Sequence, residues 1–211
     1  MWDWSENKIK FLLIRHGATK ANKEHRYLGR TDESLSTEGV KELREAIDKG
    51  CYPKVDYLFS SPLKRCLKTA DILYPAKAVT IIPDFTEINF GIFEGKNYKD
   101  LQGDERYQAW IDSNGTLPFP EGESREEFLI RCEKGFYCML EKLKEQLLEP
   151  VRKKKNQITV GLILHGGTIM AILSNLCGGN YFDYQVLNGR GYVCELDYHD
   201  GKAWLEILEK I

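Results

Sequence analysis

Residues 9–14 run Ile-Lys-Phe-Leu-Leu-Ile and then turn abruptly polar at Arg15 and His16. A short apolar run without alternation reads as a strand covered on both faces. Behind Ser36, a candidate N-cap, Val40, Leu43 and Ile47 recur at helical spacing. Residues 55–59 repeat the strand signal. "SSPLKRCLKTADIL" then predicts a helix with Ser61 as N-cap and Pro62 at its first position, where the missing N–H costs nothing. A third strand is expected at residues 79–82. Farther on, Phe128, Cys132, Phe136, Leu140, Leu143 and Leu147 mark one face of a long helix over about 123–148. Residues 158–164 read as a strand and 168–177 as a helix. Two strands, 192–198 and 203–208, flank "HDGK", whose Asp200 and Gly201 suit a tight hairpin turn.

Strands alternating with helices predict an α/β fold of three layers, helices on both faces of a mainly parallel sheet. Residues 84–121 interrupt the alternation with a Gly-rich, aromatic-rich stretch holding at most short helices. Excursions of that length serve as lids or binding loops, so one domain over 1–211 with a lid at about 84–122 is expected.

The 211 residues are 42% hydrophobic and 29% charged, which suits one soluble domain with a continuous core. A net charge of -2 provides no field for nucleic acid or an anionic membrane. Residues 152–155, Arg-Lys-Lys-Lys, read as a solvated turn. The six cysteines form no CxxC pair or zinc spacing, so reduced thiols are expected. The beginning, "MWDWSENKIK", is too polar for a signal peptide, and no apolar run approaches the roughly 20 residues of a membrane span. A cytoplasmic protein is expected.

The candidate chemistry lies where strands end. In open parallel sheets ligands gather beyond the carboxyl ends of the strands. Arg15 and His16 stand there after the first strand, His165, Gly166 and Gly167 after "ITVGLIL", and Arg65 early in the helix after "FSSP". Two guanidiniums beside two imidazoles describe an anion site, and paired planar forks suit phosphate. Gly17, Gly166 and Gly167 permit close backbone approach, and a helix N-terminus near Thr168 can add N–H donors. "GLILHGGT" imitates a P-loop, but Gly167 replaces the essential Lys and the interior is apolar strand. No dinucleotide fingerprint or metal-ligand spacing is visible, so neither cofactor nor metal is expected. His25 is placed on a loop above the site, and His199 beside the hairpin turn without a chemical role.

"IRHGATKAN", "FSSPLKRCLKTADIL", "FTEINFGIFEG" and "LHGGT", in this order over roughly residues 10–176, resemble the signature regions of the histidine phosphatase superfamily, the phosphoglycerate mutase-like family. The resemblance implies a phosphohistidine formed on His16. It also implies a phosphate pocket of Arg15, Arg65 and His165 helped by Asn22, and Glu87 as proton donor. Cys66, where alanine is common, and Ser36, where threonine often caps, are departures outside the chemistry.

Physical chemistry agrees with those roles. Nearby arginines disfavour protonation of His16, leaving a neutral nucleophile near pH 7. His165 can donate to a phosphoryl oxygen. Glu87 lies among Phe85, Ile88, Phe90 and Phe93, where desolvation raises a carboxyl pKa toward acid catalysis. Its neighbour Glu94, before Gly95, reads as a loop-shaping residue.

For substrate, the resemblance favours a hydrolase of small-molecule phosphate esters over a mutase. Mutases of the family carry an Arg with a nearby Tyr just after the acid glutamate, whereas Ile88 and Asn89 stand here. The lid is similar to that of α-ribazole phosphatases and related broad-specificity phosphatases. Tyr98, Tyr107, Trp110 and Phe119 could stack on a heterocycle or simply pack the lid. A phosphoprotein-binding module without catalysis is the remaining class, and an intact set of chemical residues argues against it.

Overall fold

A computed structural model describes Trp4, residues 8–149 and residues 156–211. The basic cluster at 152–155 and most of the N-terminal segment lie outside the described residues.

Among the described residues, six strands form one sheet: β1 (Lys8–Arg15), β2 (Tyr57–Ser60), β3 (Val79–Ile81), β4 (Gln157–Leu164), β5 (Gly191–His199) and β6 (Lys202–Lys210). Their order is β3-β2-β4-β1-β5-β6. The first four are mutually parallel, while β5 is antiparallel to both β1 and β6. The α/β three-layer expectation holds, with a mixed, mostly parallel sheet.

Residues of β1 alternate between two cores, which explains its unbroken apolar run. Ile9, Phe11 and Leu13 belong to one core, Leu12 and Ile14 to the other. Helices α1 (Lys20–Lys23), α2 (Thr37–Asp48), α3 (Lys64–Leu73), α4 (Glu105–Asp112), α5 (Arg125–Leu147) and α6 (Gly166–Cys177) surround the sheet. Phe128, Cys132 and Phe136 of α5 and Ile169 and Ile172 of α6 fill the first core. Leu43 of α2 and Cys66, Ala70 and Leu73 of α3 fill the second. Phe11 and Phe136 meet edge to face at 5.3 Å, a pairing that adds about 0.5–1.5 kcal/mol beyond area burial.

Several boundaries differ from the sequence reading. Ser36 caps α2 through Gly39 N, but the buried face is Gly39, Leu43 and Ala46, and Ile47 is exposed. Helix α3 starts at Lys64 with no side-chain cap, so Ser61 is not its N-cap. Helix α6 starts two residues early, at Gly166, with His165 at the N-cap position. The stretch expected as a lid contains α4 and the 3-10 turn Gly91–Phe93, and a second 3-10 turn, Pro83–Phe85, overlaps its start. The hairpin turn is as expected, with Asp200 and Gly201 both at positive φ.

Candidate active site

Strands β1 and β4 are adjacent and in register, Arg15 opposite Leu164. His16 N donates to the Leu164 carbonyl at 2.9 Å. The next residues, His16 and His165, therefore leave the sheet side by side, with ring centroids 5.2 Å apart. In-register pairing of two strands turns two distant sequence motifs into one site.

His16 is buried, and its Nδ1 lies 2.7 Å from the Gly17 carbonyl. A carbonyl only accepts, so Nδ1 carries the proton and Nε2 keeps a lone pair. Burial, followed by the charges of Arg65 and Arg15, holds the imidazole pKa well below its usual value. The surrounding backbone is pinned: Gly17 N donates to Thr69 Oγ1 at 3.0 Å, and Asn188 Nδ2 donates to the His16 carbonyl at 3.0 Å.

Arg15 Nη1 donates to the Val186 carbonyl at 2.8 Å, while its Nε is buried with no partner among the described residues. Gly166 packs against this guanidinium so closely that a Cβ there would come within 3.3 Å of Nε. Arg65 is fully buried. Its Nη1 and Nη2 donate to the carbonyls of Thr31 (2.8 Å) and Gly29 (2.7 Å), and its Nε donates to His165 Nδ1 at 3.1 Å. A guanidinium only donates, so His165 is the neutral Nε2–H tautomer, and that N–H points to Ser61 Oγ at 2.7 Å. Burial, then Arg65, lowers the His165 pKa strongly. The N–H expected to reach a phosphoryl oxygen thus rests on Ser61.

Asn22 caps the start of α1 through a capping box with Thr19. Its Oδ1 accepts from Thr19 N and from Asn188 Nδ2 at 3.1 Å, so the amide NH₂ is the group left for a ligand. Glu87 is buried; Oε2 accepts from Gly167 N at 2.9 Å and Oε1 from its neighbour Ile88 N at 3.0 Å. Burial raises its pKa against these two bonds and the pull of Arg65 and Arg15. Part of the α6 N-terminus, expected to serve a phosphate, serves this carboxyl instead. Glu94 shapes the loop as expected, accepting from Gly29 N, Arg30 N and Thr31 Oγ1.

Arg15, Asn22, Glu87, Gly166 and Gly167 line one cavity of about 850 Å³. Phe90, Trp110, Phe119 and Phe182 are also among the lining residues, together with Arg26, Arg125, Arg190 and Lys210. Of the two roles considered for these aromatics, Trp110 and Phe119 show the packing one. They stack on one another at 4.8 Å within a cluster holding Tyr27, Phe90 and Phe93, and they face the cavity. Tyr107 packs in that cluster, whereas Tyr98 is exposed. His25 is exposed and outside the cavity lining, and His199 stacks on Trp204 at the hairpin.

Sequence reasoning missed Ser61, Thr69, Asn188 and also Arg131, whose Nη2 donates to the Glu87 carbonyl at 3.3 Å. Ser61 was legible as a polar residue at a strand end. The Asn-Gly pair at 188–189 marks the turn that holds the His16 carbonyl. Thr69 and Arg131 lie within helical patterns that offered no signal.

The profile described as histidine phosphatase superfamily (branch 1) matches residues 11–210. Phosphoserine phosphatase 1 of Hydrogenobacter thermophilus is 29% identical over 174 residues, covering 81% of this chain and 77% of that protein. A phosphoserine phosphatase mutant from Entamoeba histolytica, solved with phosphoserine, is 26% identical with a TM-score of 0.69, covering 94% and 96% of the two chains. The α-ribazole phosphatase of Shigella flexneri shares the fold, with a TM-score of 0.73 at 24% identity over 94% and 95%.

Proposed function

Because the chain belongs to the histidine phosphatase superfamily, we propose that it is a phosphomonoesterase that hydrolyses small-molecule phosphate esters through a phosphohistidine on His16. The observation that carries this reading is the His16 Nδ1–H bond to the Gly17 carbonyl. It leaves a neutral Nε2 lone pair beside two guanidiniums, the arrangement that phosphoryl transfer to nitrogen requires.

In the first step His16 Nε2 forms a bond to phosphorus while the ester P–O bond breaks, and Glu87 delivers its proton to the departing oxygen. Arg15 and Arg65, with the Asn22 amide, offset the charge on the equatorial oxygens. His165, held by Arg65 and Ser61, supports the same pocket. In the second step Glu87, now a carboxylate, takes a proton from water as its oxygen attacks phosphorus and releases His16.

The cavity is of the size class that holds drug-sized ligands. Its aromatic lining favours an ester with a bulky, flat alcohol, and α-ribazole 5′-phosphate is the candidate we favour. A panel of that ester, phosphoserine, 3-phosphoglycerate and an aryl phosphate tests the reading. The expected result is highest kcat/KM for α-ribazole 5′-phosphate and phosphate release without isomerisation from 3-phosphoglycerate. Efficient primer-dependent formation of 2-phosphoglycerate would overturn the hydrolase assignment.

A further inference from the structure

The segment carrying Glu87, between the 3-10 turns Pro83–Phe85 and Gly91–Phe93, belongs to no helix or strand. What fixes it comes from elsewhere. Arg131, from the second turn of α5, donates through Nη1 to the carbonyls of Asp84 (2.7 Å) and Thr86 (2.9 Å) and through Nη2 to the carbonyl of Glu87 itself (3.3 Å). Glu123, just before α5, holds Arg131 by two bonds of 2.8 Å, Nε to Oε1 and Nη2 to Oε2. It also grips the far side of the segment. Asn89 N donates to Glu123 Oε2 at 3.2 Å, and Glu123 N donates to the Asn89 carbonyl at 2.9 Å.

Both side chains are largely buried, 17% and 13% exposed, where a bidentate pair is well ordered and weakly screened. We infer that the Arg131–Glu123 ion pair is a positioning device for the proton donor, clipping the Glu87 segment on both sides while cancelling its own charge. The inference rests on the acid role proposed for Glu87.

Cancellation matters because the clip is so near the acid. An uncompensated guanidinium bonded to the Glu87 carbonyl would favour the carboxylate, which cannot donate a proton. The other charged or titratable groups around Glu87 are Arg15 of β1, Arg65 and Cys66 of α3, Cys132 of α5, Tyr181 of a 3-10 turn and Asp84 on its own segment. Arg30 adds a further cation, with Nη1 on Thr86 Oγ1 at 3.0 Å and Nη2 3.9 Å from Glu123. The two arginines facing the carboxyl already favour its ionised form, and a third free cation would add to them.

The test is the pH profile of alkyl phosphate hydrolysis, with an aryl phosphate burst as control, for Glu123→Gln, Arg131→Gln and Glu87→Gln. Alkyl turnover falls as pH rises through the pKa of the acid. Glu123→Gln leaves Arg131 uncompensated and is expected to move that alkaline limb down by about half a unit to one unit. Arg131→Gln leaves Glu123 with only the more distant Arg30 and is expected to move it up by less. Both should slow alkyl phosphate about tenfold more than the aryl burst. Unshifted limbs, or shifts in one common direction, with equal losses for both substrates would reduce the pair to fold support and overturn the proposal. Glu87→Gln separates the two readings. If it leaves the alkaline limb in place, the acid assignment itself fails; if it removes the limb while the pair variants do not move it, only the clip fails. Should neither charge-removing variant fold, Arg131→Lys serves: it keeps the charge but not the fork, and an undiminished alkyl rate would contradict the clip.

Discussion

Arg65 Nε donates to His165 Nδ1 at 3.1 Å, and that bond fixes the tautomer and charge of the second histidine. With Nη1 and Nη2 on the Thr31 and Gly29 carbonyls, one buried side chain joins α3, the segment before α2 and the end of β4. Arg65→Lys retains a charge but cannot make three divergent bonds. Expected are a loss of about 10²-fold in kcat/KM, in line with removal of one preorganised donor, and a weaker Ki for inorganic phosphate. A lower melting temperature with an unchanged phosphate Ki would make Arg65 scaffold alone.

Stability should fall on acidification, with a specific cause. His16 and His165 both have folded-state pKa values well below 6.5. The unfolded chain binds their protons first, so their contribution is complete above about pH 6.5 and is lost as pH falls toward the folded values. Glu87 is raised above 4.5 and acts oppositely, stabilising fully below that value and less as pH rises through its folded pKa. Two histidines against one carboxyl leave a net loss, each uncompensated proton worth about 1.4 kcal/mol per pH unit. The melting temperature is expected to drop between pH 7 and pH 5, and His16→Gln to flatten the drop. Parallel curves for variant and wild type would contradict this.

Gly167 separates stability from catalysis. A Cβ there would stand 2.4 Å from Glu87 Oε1 and 3.1 Å from Cδ, so the carboxyl must swing away. The moving atoms end a flexible side chain, and Ala favours a helix over Gly by about 1 kcal/mol. That gain and the loss of the Gly167 N–Glu87 bond oppose one another, so Gly167→Ala should leave the melting temperature little changed while cutting alkyl phosphate turnover at least tenfold. A destabilised variant with normal turnover would show that Glu87 is not held against this glycine.

How much of this was legible in the sequence depended on where the information resides. The strand ends at Arg15 and Leu164 could be read because burial on both faces leaves an unbroken apolar run that stops where the sheet stops. Glu87 stood out as a carboxyl among aromatics. Ser61 was misread because Ser-Pro is a good local start for a helix, yet the hydroxyl is engaged by His165, 104 residues away just past the end of β4. The start of α6 was missed because Gly166 and Gly167 have poor helix propensity, offset here by the contacts with Arg15 and Glu87 that only glycine permits. Arg131 was hidden for a similar reason: an arginine on a charged helix looks solvated until the Glu87 segment is folded over it.

The central claim is a covalent phosphohistidine at Nε2 of His16, and rapid acid or base quenching of enzyme mixed with a ³²P-labelled phosphate ester tests it most directly. The account predicts a phosphoenzyme that survives base, is lost in acid, maps to His16 and is absent from His16→Ala. An acid-stable adduct, or labelling that persists in His16→Ala, would contradict it.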